Sequence, residues 1–186
     1  IDIMEFVKSL KQTKLLKYVF LALLGSIILA VSSKIKIPFY PVPMTMQTFV
    51  VLFIGIAFGW KLGVATICLY LFEGIIGLPV FSGTPEKGLG LVYFTGPTMG
   101  YLIGFIIAAY LAGKFNYDSN LVKNFFKLVF ATCFIYLFGL IWLGTLIGWD
   151  KPIFKLGAEP FLLAELFKIC IATLMVSQIK KLKKFI

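Results

Sequence analysis

Residues 160–179 read PFLLAELFKICIATLMVSQI, an apolar stretch interrupted by one acid and one base, Glu165 and Lys168. An ionisable side chain in hydrocarbon costs a few kcal/mol even on lenient scales, so such residues mark functional sites by default. Spaced three apart, these two lie one helical turn from each other and project from one face of a helix. Their signs are opposite. They can cancel each other's charge, or together face a polar ligand, the carboxylate accepting N–H groups and the ammonium donating to an anion.

The chain around this stretch is built for a bilayer. Its 186 residues are 60% hydrophobic, with a mean hydropathy of +0.99. Six apolar runs follow one another over residues 16–31, 44–60, 62–76, 95–112, 128–148 and 160–179. They predict a single all-α integral membrane domain over residues 1–186, a bundle of six transmembrane helices. The second and third runs meet at Trp60-Lys61-Leu62 with almost no linker. The first run is long and lacks a small-residue cleavage site, so it reads as a retained helix and not as a signal peptide.

All 18 cations are lysines. With the N-terminus inside, twelve fall on inner segments (Lys8, Lys11, Lys14, Lys17, Lys61, Lys114, Lys123, Lys127, Lys180, Lys181, Lys183 and Lys184). Five fall on outer ones (Lys34, Lys36, Lys87, Lys151 and Lys155). The excess predicts a multi-pass protein of the plasma membrane with both termini in the cytoplasm. The net charge of +10 is therefore a topology signal, not a nucleic-acid footprint. Cys68, Cys133 and Cys170 sit in three separate apolar runs without metal spacing and read as small buried hydrophobes.

Two connections on the predicted outer side are unusual. Pro38, Pro41 and Pro43 force an extended path before the second run. Residues 77–90 are glycine-rich yet carry Leu78, Val80 and Phe81, as a loop folded over a cavity would. Near the same end, Gln47 is a buried amide in need of partners, and Thr45 is suited to cap the helix start. Phe81, Tyr93, Phe94 and Tyr101 supply aromatic pocket walls or an interfacial belt. Glu73 lines the cavity or sits at the interface. Ala22, Ser26 and Ala30 recur every fourth residue, a stripe on which another helix can dock, in this chain's own bundle or in a partner.

The sequence holds no phosphate-cradling glycine-lysine loop, no histidine, no Cys/His cluster and no nucleophile elbow. An enzyme is therefore not expected, nor a metal, and any ATP that drives transport must be used by partners.

Four stretches together resemble the BioY family, the biotin-binding S components of energy-coupling factor (ECF) transporters. Pro41-Val42-Pro43-Met44-Thr45-Met46-Gln47-Thr48-Phe49 is similar to the family's PVPxTxQTF, and Gly77-Leu78-Pro79-Val80-Phe81 to its GLPVF. Gly96-Pro97-Thr98-Met99-Gly100-Tyr101-Leu102 resembles GPTGGYL, and residues 160–168 resemble PFxPGDLIK, with Glu165 in place of an aspartate. Some members carry an arginine where this chain has Leu102.

The resemblance implies a six-helix S-component fold and an outward-facing biotin pocket lidded by the two outer loops. It implies docking of the first helix, through Ala22, Ser26 and Ala30, on a transmembrane T component coupled to two cytosolic ABC ATPases. On this reading Glu165 accepts the ureido N–H groups, Gln47 or a loop hydroxyl (Ser82 or Thr84) meets the ureido oxygen, and Lys168 pairs with the valerate carboxylate. Phe81, Tyr93 and Tyr101 enclose the rings. An S component for another vitamin and a self-sufficient biotin carrier remain the alternatives at this point.

Overall fold

The computed structural model describes the backbone of residues 3–182 and the side chains of residues 13–182. Its decisive local feature is Gly59, at φ 74° and ψ 172° inside an otherwise continuous helix, α2 (Gln47–Ile75). That backbone region is essentially closed to residues with a Cβ. The chain turns back on itself here, and α2 becomes a helical hairpin of two antiparallel arms. Gly55 and Gly63 meet across it: a Cβ on Gly63 would lie 3.4 Å from the Gly55 Cα. At the open end of the hairpin Gln47 Nε2 donates to the Tyr70 hydroxyl at 2.7 Å. The break expected at residues 60–62 thus falls at Gly59.

The remaining helices are α1 (Ile3–Lys34), α3 (Met99–Lys114), α4 (Leu121–Ile147), the short α5 (Ile153–Gly157) and α6 (Leu162–Leu182). A two-residue antiparallel pairing, β1 (Lys36–Ile37) with β2 (Met44–Thr45), closes the proline-rich loop. Asn120 caps α4, its side chain accepting from the Lys123 amide at 3.0 Å.

Helices approach closely in lipid where residues are small. α3 lies against the first arm of α2, where a Cβ on Gly55 would come within 2.7 Å of the Ala109 carbonyl. A Cβ on Gly113 would come within 2.4 Å of the Trp60 amide nitrogen at the elbow. α4 packs on α3 through Gly104, whose Cβ would stand 2.5 Å from the Ile135 Cα. α6 closes the bundle, with Ile169, Ala172 and Val176 joining Leu52, Ile56, Leu128 and Ala131 in one apolar cluster. Among the described residues, four helical segments are long and apolar enough to cross a membrane: Thr13–Lys34, Gln47–Ile75, Leu121–Ile147 and Ile153–Leu182.

Because α2 is folded at Gly59, its first arm rises only about 18 Å at 1.5 Å per residue, short of a bilayer core of about 30 Å. The level of Gln47 therefore lies below the end of the bundle. Irregular segments 35–46, 76–98 and 148–161 fill the space above it, an arrangement tolerated at membrane depth only where such backbone is enclosed by protein or lines a cavity. At the opposite end Lys180 Nζ donates to the Tyr117 carbonyl at 2.6 Å, which ties the end of α6 to the 115–120 turn. Lys61, Lys114, Lys123 and Lys127 lie at that end; Lys34, Lys36, Lys87, Lys151 and Lys155 lie on the irregular side. The side chains of Lys8 and Lys11, and Lys183 and Lys184 altogether, lie outside the described residues.

Two expectations are corrected. Cys68, Cys133 and Cys170 are exposed on the bundle's outer face, not buried; lipid accepts a weakly polar thiol as readily as a core does. Ala22 and Ser26 are 9% and 0% exposed, and Ala30 is partly buried. The small-residue stripe is covered by this chain's own α2, with Gly25 pressed against Thr66, Phe58 and Ile54. The face that α1 leaves open carries Leu23, Leu24, Ile27, Ile28 and Val31.

Replacing Gly59 by alanine forces a Cβ into a conformation that costs about 1–3 kcal/mol. The expected outcome is a lowered thermal midpoint of the detergent-purified chain with its helical circular dichroism intact at low temperature. An unchanged midpoint would refute the hairpin geometry at Gly59.

Candidate functional site

Glu165 and Lys168 project from the first turns of α6 toward the start of α2. Lys168 Nζ lies 2.6 Å from Glu165 Oε1, 2.6 Å from the Thr45 carbonyl and 3.1 Å from Thr48 Oγ1. Thr48 donates in turn to Glu165 Oε1 at 2.8 Å. Both charged side chains are buried, Glu165 at 4% and Lys168 at 7% exposure. The ammonium's three donors meet three acceptors, so the pair is neutral as a unit and Lys168 is satisfied within the protein. The sequence places these two residues on one face correctly, but Lys168 has no donor left for a ligand anion.

The carboxylate is not satisfied. Glu165 Oε2 is buried without a hydrogen-bond partner, and the same holds for Ser82 Oγ. Among the described side chains these are the two such atoms, and both residues line one cavity. Buried polar atoms left unpaired cost about 1–3 kcal/mol each, so two of them converging on one space point to a ligand.

Val42, Pro43 and Met44 of the proline-rich loop wall the cavity on one side, and Leu102, Phe105 and Ile135 wall it on the other. Gln47, Tyr93, Tyr101 and Tyr136 add polar tips.

Of the residues singled out in the sequence, Glu165, Gln47, Ser82, Tyr93 and Tyr101 border the cavity, whereas Phe81, Thr84 and Lys168 stand behind its wall. Phe81 is 1% exposed. It stacks on Tyr93 at 4.7 Å between centroids and meets Tyr70 and Phe94 edge-on at 5.2 and 5.3 Å, so it anchors the loop and does not touch the space. Thr84 Oγ1 donates to the Phe81 carbonyl at 2.7 Å and accepts from Lys34 Nζ at 3.0 Å. Tyr101 donates to the Gly157 carbonyl at 2.7 Å, tying α3 to the segment that precedes α6. Burial pushes the Tyr93 phenol above its ordinary pKa; it stays protonated and donates to the Ser82 carbonyl at 2.8 Å. Glu73 lies away from the cavity and accepts from Ser26 Oγ at 2.9 Å.

Thr48 and Tyr136 were missed by the sequence reading. Thr48 stands one residue after Gln47, where the stretch already signalled buried polar groups. Tyr136 sits in a long apolar run where nothing separates a pocket aromatic from a lipid-facing one, yet it lines the cavity.

The sequence pattern of the BioY family matches residues 7–185. A protein of Pyrococcus horikoshii named "Probable biotin transporter BioY" is 34% identical over 155 residues, covering 81% of this chain and 88% of its own. "Biotin transporter BioY" of Thermotoga maritima is 32% identical over 161 residues, covering 84% and 91%. The fold is similar to that in a crystal structure of the S-component for biotin from an ECF-type ABC transporter, with a TM-score of 0.75 at 23% identity over 91% of this chain and 93% of that one. A family pattern that spans nearly the whole length, and relatives above 30% identity along most of theirs, place the chain in one group: it belongs to the BioY family.

Proposed function

We propose that this chain is the biotin-binding S component of an ECF-type vitamin importer. The observation that carries the reading is the convergence of Glu165 Oε2 and Ser82 Oγ, both buried and unpaired, on one apolar and aromatic cavity. A small ligand that suits it presents N–H donors to the carboxylate, a polar atom to the hydroxyl and apolar rings to the rest. A cyclic urea fused to a thioether ring has that pattern. Lys168 acts as the internal partner that aims Glu165 and has no donor left over, so the ligand's own carboxylate finds its partner elsewhere.

The lysine distribution supports an orientation with the irregular, pocket-bearing side outside and both termini in the cytoplasm, so that biotin is captured from outside at the plasma membrane. On the family's pattern the partners are a transmembrane T component and two cytosolic ABC ATPases, which use the ATP. This chain brings no cofactor of its own. Of the stripe that the family's pattern would dock on the T component, Ala22 and Ser26 are buried within this chain, and Ser26 donates to Glu73 of α2, while Ala30 is partly exposed.

Three outcomes are expected. Glu165→Gln removes the charge that meets the ligand N–H groups, and calorimetric biotin affinity falls about 10- to 100-fold. Lys168→Met alone strands a buried carboxylate and lowers stability by about 3–5 kcal/mol. Glu165→Gln combined with Lys168→Met recovers stability but not binding. Equal binding by the wild type and Glu165→Gln would sink the site assignment, and competition by riboflavin or thiamine as strong as by biotin would sink the ligand. In liposomes, uptake by the chain alone is expected to be negligible and to require the T component, the ATPases and ATP. Uptake without them would identify a self-sufficient carrier.

A further inference from the structure

The cavity's Ser82 hydroxyl is held out by a short strap, residues 80–84, whose carbonyls are all claimed from outside it. The Val80 carbonyl accepts from Ser33 Oγ at 2.8 Å and from the Tyr70 hydroxyl at 3.1 Å. The Ser82 carbonyl accepts from Tyr93 at 2.8 Å. Between and beyond these, the Phe81 and Thr84 carbonyls accept from one ammonium, Lys34 Nζ, at 2.8 and 3.3 Å, and Thr84 Oγ1 accepts from the same group at 3.0 Å. Gly83, at φ 83°, turns the chain directly after Ser82. The direction of the Ser82 side chain is thus set by two anchored carbonyls on either side of a flexible residue, and Lys34 supplies the anchor at both.

Lys34 is the last residue of α1, and none of the described residues of α1 lines the cavity. Its influence on a ligand therefore passes through the strap. The ammonium of Lys34, an exposed residue, adds charge-assisted bonds to the neutral hydroxyl bonds that hold the Val80 and Ser82 carbonyls.

We infer that Lys34 is a positioning residue of the binding site: it pins the strap and so aims the Ser82 hydroxyl at the ligand. The ligand named in the test rests on the biotin reading above. Conversion of Lys34 to methionine removes the bonds that tie the Phe81 and Thr84 carbonyls to α1; the Phe81 carbonyl keeps only the Thr84 donors inside the strap, which do not fix the strap, and with it Ser82, to the helix.

The test is a mutant cycle on the full-length, detergent-purified chain, read by biotin dissociation rate. Ser82→Ala is expected to speed dissociation about 5-fold. Lys34→Met is expected to speed it about 10-fold, Lys34→Arg to stay within about 3-fold of wild type, and Lys34→Met in the Ser82→Ala background to add less than about 3-fold. An unchanged rate in Lys34→Met, or the same fold-loss with and without Ser82, would overturn the assignment, because a general packing role adds independently of the hydroxyl. Hydrogen exchange on the ligand-free protein separates the two readings. If the wild type binds no biotin, the proposed function fails. The latch is still supported if the amides of Thr84 and Lys87 exchange about 10-fold faster in Lys34→Met, and refuted if their rates are unchanged.

Discussion

The neutral unit formed by Glu165, Lys168, Thr48 and the Thr45 carbonyl is the constraint around which the pocket is organised. Two charges buried between α6 and α2 are tolerable only when each finds its partners, because the desolvation cost amounts to several kcal/mol per ion. The arrangement satisfies Lys168 completely and Glu165 by half. That asymmetry turns a structural ion pair into a recognition element. The lysine fixes the carboxylate's direction, and the oxygen left over is on the cavity side.

The pocket exists because the helices around it are short. Gly59 folds α2 into two arms, the first of which ends well below the edge of the bundle. Irregular backbone fills the remaining depth. The proline-rich loop, the strap and the turn before α6 make the roof, joined by contacts such as the edge-on pair of Phe39 and Phe161 at 5.6 Å. Each roof segment is tied to a helix by a side chain that reaches a carbonyl: the strap by Lys34 and Ser33 from α1 and Tyr70 from α2, the turn before α6 by Tyr101 from α3, and the proline-rich loop's end at Thr45 by Lys168 from α6. This keeps enclosed backbone hydrogen-bonded, the condition for irregular structure at membrane depth.

Much of the site was readable because polar residues are conspicuous in an apolar chain. Glu165, Lys168 and Gln47 announced themselves by the cost of burying them, and the apolar residues of the loop at 77–90 announced its inward fold. The roles were less readable than the positions. Phe81 looked like a pocket wall and is an anchor behind it. Lys168 looked like a ligand's counter-ion and is Glu165's. Ala22, Ser26 and Ala30 looked like an outward docking face and pack on α2. In each case the residue type was right for both readings, and the choice depended on what stood opposite in space.

The sequence by itself determined the membrane-embedded helical class, the family motifs, the lysine bias and the two charges on one face of α6. All of these follow from composition and from spacing along a single segment. Only the tertiary structure decided which oxygen of Glu165 stays free, that Thr48 and Thr45 complete the lysine's shell, and that Lys34 reaches across to hold the strap. Those contacts join residues from 47 to 123 positions apart. No local periodicity encodes such distances. They are set by the fold of α2 at Gly59, by the close glycine-mediated packing that brings α3 against it and by the apolar cluster that holds α6 there.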